Sequence, residues 1–227
     1  MLRIGHRGAA FHEPENTMRS FRRAVELGAD MIELDVRLCG SGEIVILHDE
    51  TVDRTTNGSG KVSDLSLREL KGLDAGSGER VPLLTEVLDE FRGKAGIDIE
   101  LKGPGTAGPV SHLLAGYFQR GTWRPWDIIL SSFKPEELFE AGELLVGVPL
   151  GFLFEDHPSM GSGFALEIGA RYVLPRKDLV DGELVDIAGS AGLEVIAWTV
   201  NDRAEVRRLL DLEVHGIITD RPEILQP

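Results

Sequence analysis

Short apolar runs alternate with segments of helical periodicity through nearly the whole chain. Runs at Leu2–Gly5, Met31–Val36, Ile97–Leu101, Ile128–Ser131, Leu150–Phe154, Tyr172–Leu174, Val195–Thr199 and Gly216–Thr219 read as buried strands. Between them apolar residues recur at i, i+3, i+4 and i+7. Val110, Leu113, Leu114 and Tyr117 form one such stripe, and Val206, Leu209 and Leu210 begin another. Asn16 marks the start of a first helix. Asp202, with Glu205 three residues on, marks the last in a capping-box arrangement. Eight strands, each followed by a helix or a C-terminal turn, predict a (β/α)₈ barrel of the TIM type. A doubly wound open sheet is the competing architecture.

Residues 37–82 interrupt the alternation. They hold no long helix, yet a further strand, Ile44–His48, follows Met31–Val36 too closely for a crossover. The intervening Gly40-Ser41-Gly42 reads as a hairpin turn, so this strand is expected to run antiparallel. A two-residue turn at Ser41-Gly42 pairs Gly40 with Glu43, and hence Asp35 with His48, which makes those two side chains neighbours. Ser66 and Glu69 have capping-box spacing for a short helix. Glu50 to Pro82 is therefore expected to form a small insertion above the barrel mouth, within a single domain spanning residues 1–227.

The side-chain period of a strand puts Glu33 and Asp35 on one face, with Leu34 and Val36 on the other. The next barrel strand repeats the design with Asp98, Glu100 and Lys102. Barrel interiors are normally filled by branched apolar side chains, so acids there need a reason. Adjacent carboxylates repel each other unless a cation sits between them. Glu33, Asp35 and Glu100 together make an all-oxygen set suited to Mg²⁺ or Ca²⁺ rather than zinc. Rim salt bridges to Arg3, Arg37 or Lys102 would account for the same acids.

His6 directly follows the first strand, and His48 ends the hairpin strand. Two histidines beside a metal can serve as general acid and general base; a structural hydrogen bond fits either one taken alone. Arg7 and Lys102 offer cations to a phosphodiester oxygen, or ordinary ion pairs to nearby acids. Phe133 and Trp198, at later strand ends, offer an apolar wall or plain core packing. His12, His112, His157 and His215 have no comparable setting and are read as structural. The stretch Gly103-Pro104-Gly105-Thr106-Ala107-Gly108 has dinucleotide-turn spacing. It follows the third barrel strand, carries a proline and lacks the downstream acid, so it reads as a loop.

Charge narrows the partners. Twenty-four Lys and Arg against 38 Asp and Glu give a net −14, which excludes a general nucleic-acid binder and argues against an anionic lipid surface. The same field repels an anionic substrate, but screening over roughly 8 Å leaves local cations in control. No apolar run reaches the roughly 18 residues of a membrane span. The N-terminus reads as a strand rather than a secretory leader, and Cys39 has no disulfide partner. A cytoplasmic protein with no stable membrane association is expected.

Eight motifs then form a series. They are His6-Arg7-Gly8, Pro14-Glu15-Asn16-Thr17, Glu33-Leu34-Asp35-Val36, His48-Asp49, Asp53-Arg54-Thr55-Thr56-Asn57-Gly58, Glu100-Leu101-Lys102, Trp198-Thr199-Val200-Asn201 and, closing the chain, Gly216-Ile217-Ile218-Thr219 with Asp220-Arg221-Pro222. In this order they resemble the successive signatures of the glycerophosphodiester phosphodiesterase family. The resemblance implies metal-dependent hydrolysis of glycerophosphodiesters to glycerol phosphate and an alcohol, a reaction of lipid and glycerol metabolism. It implies Glu33, Asp35 and Glu100 as ligands of Mg²⁺ or Ca²⁺, His6 and His48 as acid and base, and Arg7 and Lys102 on the phosphate. The polar segment after His48 would match the family's small insertion. The partner would be a small-molecule glycerophosphodiester; a homodimer is allowed. A lysophospholipase D or phosphoinositide-type phosphodiesterase on the same site is the alternative. A barrel that has lost catalysis and serves as a binding module is the third reading, and retention of both histidines and all three acids counts against it.

Overall fold

The computed structural model describes residues 1–226. Its strands are β1 (Leu2–Gly5), β2 (Met31–Leu38), β3 (Ile44–Ile46), β4 (Gly96–Leu101), β5 (Ile128–Ser132), β6 (Leu150–Phe154), β7 (Tyr172–Pro175), β8 (Glu194–Ala197) and β9 (Gly216–Thr219). All but β3 pair in parallel in the ring β1-β2-β4-β5-β6-β7-β8-β9, and β9 returns to β1. Helices α1 (Met18–Glu26), α2 (Leu67–Gly72), α3 (Leu84–Phe91), α4 (Ala107–Gln119), α5 (Pro135–Leu144), α6 (Pro158–Glu167), α7 (Gly182–Ser190) and α8 (Arg203–Asp211) lie between the strands. The closed sheet is the expected (β/α)₈ barrel, and the open-sheet alternative falls.

Two apolar layers result from period two. Outward-facing Ile32, Leu34, Val36, Ile97, Ile99 and Leu101 pack against helix residues such as Phe21, Leu84, Leu88 and Phe91. Each such side chain contributes roughly 1.5–3 kcal/mol when fully buried. Inward-facing Ile4, Met31, Ile129, Leu153, Leu174, Ile196 and Ile218 fill the lower interior. Further along the same inward rows, toward the C-terminal ends of the strands, the residues change character: His6, Glu33, Asp35, Glu100, Lys102, Glu155, Trp198 and Asp220. The barrel is thus an apolar plug with a polar top.

The hairpin differs from its predicted register. Val36 pairs with Ile46, Arg37 with Val45 and Leu38 with Ile44, antiparallel as expected. That places Leu47, not His48, opposite Asp35, and Leu47 N donates to Asp35 O at 3.0 Å. The turn has three residues rather than two: Cys39 N donates to Glu43 O, and Gly42 takes φ +93. A two-residue turn of the favoured hairpin type would force Ser41 as well into the left-handed region, whereas this loop puts only a glycine there. The strand itself ends at Ile46.

Residues 50–82 contain a Val62–Asp64 turn of 3₁₀ helix and α2, with Ser66 and Glu69 forming the expected capping box. Val52, Val62, Leu70, Ala75 and Val81 bury against Cys39, Val45 and Leu47, a small core on the outer face of the hairpin. Three smaller expectations fail. Asn16 does not cap α1; Thr17 does, accepting from Ser20 N. Asp202 caps α8, but Glu205 pairs with Arg208 instead of closing the box. Leu210 is exposed, so the α8 stripe buries only Val206 and Leu209.

Candidate active site

A cavity of about 330 Å³ opens at the C-terminal end of the barrel. His6, Arg7, Glu33, His48, Glu100, Lys102, Phe133 and Trp198 line it, so every sequence-predicted site residue except the more deeply buried Asp35 faces this space. Asp35 stands directly beside it. One carboxylate oxygen from each of Glu33, Asp35 and Glu100 lies within 4.8 Å of the others.

The acids are held from several directions. Arg7 N donates to Glu33 Oε2 at 2.8 Å, and Asn16 Nδ2 to Asp35 Oδ2 at 2.8 Å. Lys102 Nζ donates to Glu100 Oε1 at 2.8 Å and stands 3.7 Å from Asp35 Oδ1. The expected rim pairing is therefore real for Lys102 only. Arg3 binds Asp30, and Arg37 Nε and Nη2 donate to the His48 carbonyl at 3.0 and 2.7 Å. Arg37 thus carries His48 from the end of β3 into the site, despite the one-residue register shift.

Electrostatics makes the trio unhappy without a counter-charge. Burial, then Asp35, pushes Glu100 up to about 8. Burial, then Asp35 and Glu100, raises Glu33 well above the carboxylate range. Asp35 is buried too, but Arg7, Lys102 and His48 outweigh that and hold it low. Among the described residues its Oδ1 is nonetheless buried without a hydrogen-bond partner, an arrangement that costs about 1–3 kcal/mol unless something else satisfies it. Three convergent, hard oxygen donors with an unsatisfied atom among them fit a divalent cation. Below them Asp98 accepts from Ser131 Oγ at 2.7 Å, and burial raises it to about 7.

Each histidine has a carboxylate behind it. His6 Nδ1 donates to Asp220 Oδ1, and His48 Nδ1 to Asp49 Oδ1, both at 2.6 Å. Anchoring Nδ1 leaves Nε2 of each ring free of its carboxylate. Asn201 holds Asp220 in turn, its Nδ2 donating to Oδ2 and its Oδ1 accepting from the Asp220 amide at 2.9 Å. Burial would raise Asp220, but His6 and Asn201 hold it below the usual range. Burial lowers His48, opposed by Asp35 and Asp49.

Arg7 sits at φ +50, a strained position for a residue with a β-carbon. Its amide bond to Glu33, and the bonds from Asn16 N (3.1 Å) and Ser20 Oγ (2.9 Å) to its carbonyl, over-determine that conformation. The guanidinium donates to Glu15 at 2.8 Å and lies 3.4 Å from Asp35. Phe133 and Trp198 meet edge to face at 5.4 Å, Trp198 Nε1 donates to the Leu174 carbonyl, and Lys102 Nζ lies 5.4 Å from the Phe133 ring centre. They are cavity wall and core packing at once.

Sequence reasoning missed Asn16, Asp49, Asp220 and Glu155 as members of the site. Period two along β6 and β9 points to Glu155 and Asp220, one inward step beyond Leu153 and Ile218. Asn16 lies within a quoted motif, but its bond to Asp35 is a tertiary fact. His12 pairs with Glu223 and His215 with Glu194, away from the cavity. The glycine-rich loop before α4 offers its amides to a protein group: Glu137 of α5 accepts from Gly105 N and Ala107 N.

Against this geometry, the model of the glycerophosphoryl diester phosphodiesterase family matches residues 6–224. The chain belongs to that family. A glycerophosphodiester phosphodiesterase of Caldanaerobacter subterraneus subsp. tengcongensis is 37% identical, over 99% of this chain and 96% of its own. One of Bacillus subtilis is 34% identical, over 99% and 85%. Among solved structures, an Oleispira antarctica phosphodiesterase in complex with the product sn-glycerol-3-phosphate superposes with a TM-score of 0.90 at 29% identity, covering 98% of this chain and 94% of that one. Family membership makes this an enzyme of phosphodiester chemistry. No helix among the described residues is long and apolar enough to cross a membrane.

Proposed function

We propose that the chain hydrolyses glycerophosphodiesters to glycerol phosphate and an alcohol, with His6 and His48 as the proton-transfer pair and Glu33, Asp35 and Glu100 holding a divalent cation. The observation that carries this reading is the placement of two carboxylate-anchored imidazoles at a cavity beside three convergent acids. The family match and a relative holding glycerol phosphate as product support the substrate class.

A bound divalent cation supplies Lewis-acid polarisation of a phosphoryl oxygen and neutralises developing charge. Arg7 and Lys102 bind the remaining phosphoryl oxygens. Phe133 and Trp198 form an apolar wall for the carbon side of glycerol and exclude water from it. One imidazole Nε2 takes the proton of the attacking hydroxyl as its oxygen bonds to phosphorus. The other Nε2 returns a proton to the alkoxide as the second phosphorus–oxygen bond breaks. The attacker is water, or a neighbouring glycerol hydroxyl that forms a cyclic phosphate, which water then opens to glycerol phosphate with the two imidazoles exchanging roles.

The deciding experiment is turnover of glycerophosphocholine and of a lysophospholipid, with and without chelator. Hydrolysis of the first that stops with chelator is the expected result. Hydrolysis of the lysolipid alone would move the assignment to lysophospholipase D, and no hydrolysis of either would point to a binding module.

A further inference from the structure

Arg54 belongs to the 50–82 segment, lies outside the cavity and is about half exposed, at 48%. Its guanidinium nevertheless grips two carboxylates at once. Nη1 and Nη2 donate to the two oxygens of Glu15, each at 2.8 Å. Nε donates to Asp49 Oδ2 at 2.7 Å, and Nη2 to Asp49 Oδ1 at 3.1 Å. Both acids pass the contact inward. Glu15 Oε1 accepts from Arg7 Nη1 at 2.8 Å, and Asp49 Oδ1 accepts from His48 Nδ1 at 2.6 Å.

We propose that Arg54 is a positioning residue that sets Arg7 and His48 relative to each other, through Glu15 and Asp49, and that this clamp is what the 50–82 segment contributes to the site. The proposal rests on the roles given above to Arg7 and His48. A bidentate network can add more to stability than a single exposed ion pair, but stability alone gives no reason for both acids to reach inward onto Arg7 and His48. A planar fork with fixed donors can hold two carboxylates bidentately in one geometry; an ammonium group can reach both but fixes neither in a plane. The segment that carries the fork is itself held in shape, since Asn57 N donates to Asp74 O at 3.0 Å and Asp74 N to Asn57 Oδ1 at 2.9 Å.

Without Arg54 two things change. Glu15 keeps Arg7 as its one strong cation and draws that guanidinium outward, away from the cavity. Asp49 faces the His48 ring with its charge unopposed. Of the other charged groups facing that ring, Asp35 from β2 and Lys102 from the end of β4 stay in place, while Arg7, from the turn after β1, withdraws its opposing charge. The imidazolium gains stability, and the limb of the pH–rate profile that belongs to His48 moves to higher pH.

The test compares wild type, Arg54→Ala, Arg54→Lys, Glu15→Gln and Asp49→Asn on glycerophosphocholine, reading kcat, KM, pH profile and Tm. Arg54→Ala is expected to stay within about 4 °C of wild type in Tm and to lose about 10–100-fold in kcat/KM, the usual cost of removing an outer partner. Its His48 limb should shift upward. Arg54→Lys should return the limb toward wild type without recovering kcat/KM. Glu15→Gln should act mainly on KM and Asp49→Asn mainly on kcat. Arg54→Ala within threefold of wild type would overturn the clamp. So would a loss in both Arg54 variants that comes with a large fall in Tm and an unmoved limb. Inactive wild-type enzyme would instead overturn the functional reading on which the clamp depends.

Discussion

His6 Nδ1 lies 2.6 Å from Asp220 Oδ1, although 214 residues separate them. The first and last strands of the barrel are neighbours, with Ile4 beside Ile218 and Gly5 beside Thr219, so the residues just past their ends meet. Barrel closure is therefore what orients the histidine at the start of the chain. The carboxylate selects the tautomer that presents Nε2 to the cavity, and it steadies the ring when that ring is charged.

It follows that Asp220→Asn should behave much like His6→Ala. The amide can offer Nδ1 a donor and hold the wrong tautomer. A fall in kcat of about 10²-fold or more is expected, with an unchanged circular dichroism spectrum. Near-normal turnover in Asp220→Asn would return the pair to a structural role.

The acid trio predicts an unusual pH dependence of stability. Glu100 is pushed up to about 8 in the folded chain, so between the ordinary carboxylate range and pH 8 the folded state binds more protons than the unfolded one. Stability then falls as pH rises through that window. In EDTA, Tm should be lower at pH 8 than at pH 6, and Mg²⁺ or Ca²⁺ should raise it more at pH 8. Glu100→Gln should remove much of that slope. A metal-independent Tm at both pH values would contradict the cation site.

Activity should follow the same metal. Replacing Glu33, Asp35 or Glu100 by Ala should abolish turnover and the cation-induced rise in Tm together. Isothermal titration with Mg²⁺ and Ca²⁺ checks the binding without reference to catalysis. Full activity in EDTA would sink the assignment.

Head-group preference should be weak. Beyond Arg7, Lys102 and the Phe133–Trp198 wall, the cavity offers an incoming alcohol the exposed carboxylate of Glu155. One solvent-screened charge discriminates poorly. Glycerophosphocholine, glycerophosphoethanolamine and glycerophosphoglycerol should have kcat/KM values within about tenfold, roughly 1.4 kcal/mol. A preference above about 100-fold, far beyond that margin, would require a further binding element.

Stability rests partly on a buried carboxylate with no part in the chemistry. Glu137 accepts from Gly105 N, Ala107 N and Thr106 Oγ1 at the start of α4. Glu137→Ala should cost about 1–2 kcal/mol, or roughly 2–8 °C in Tm for a domain of this size. Calorimetry on the purified variant checks it.

The strands, their inward and outward faces and the polar change at their C-terminal ends were legible in the sequence, because side-chain alternation is a local property of extended backbone. Glu33, Asp35, Glu100, His6, His48, Arg7 and Lys102 could be singled out by that rule and by the motif series. What lay beyond reach was everything set by one element meeting another. The hairpin register depended on which glycine could take a positive φ, and a one-residue difference moved Leu47 opposite Asp35. Asn16 on Asp35, Asp220 on His6 and Arg54 across Glu15 and Asp49 are contacts between separate segments, with no periodicity to announce them. The sequence by itself determined which side chains face the barrel axis; only the closed tertiary structure decided which of them hold one another, because a hydrogen bond between distant residues is a matter of where the chain returns.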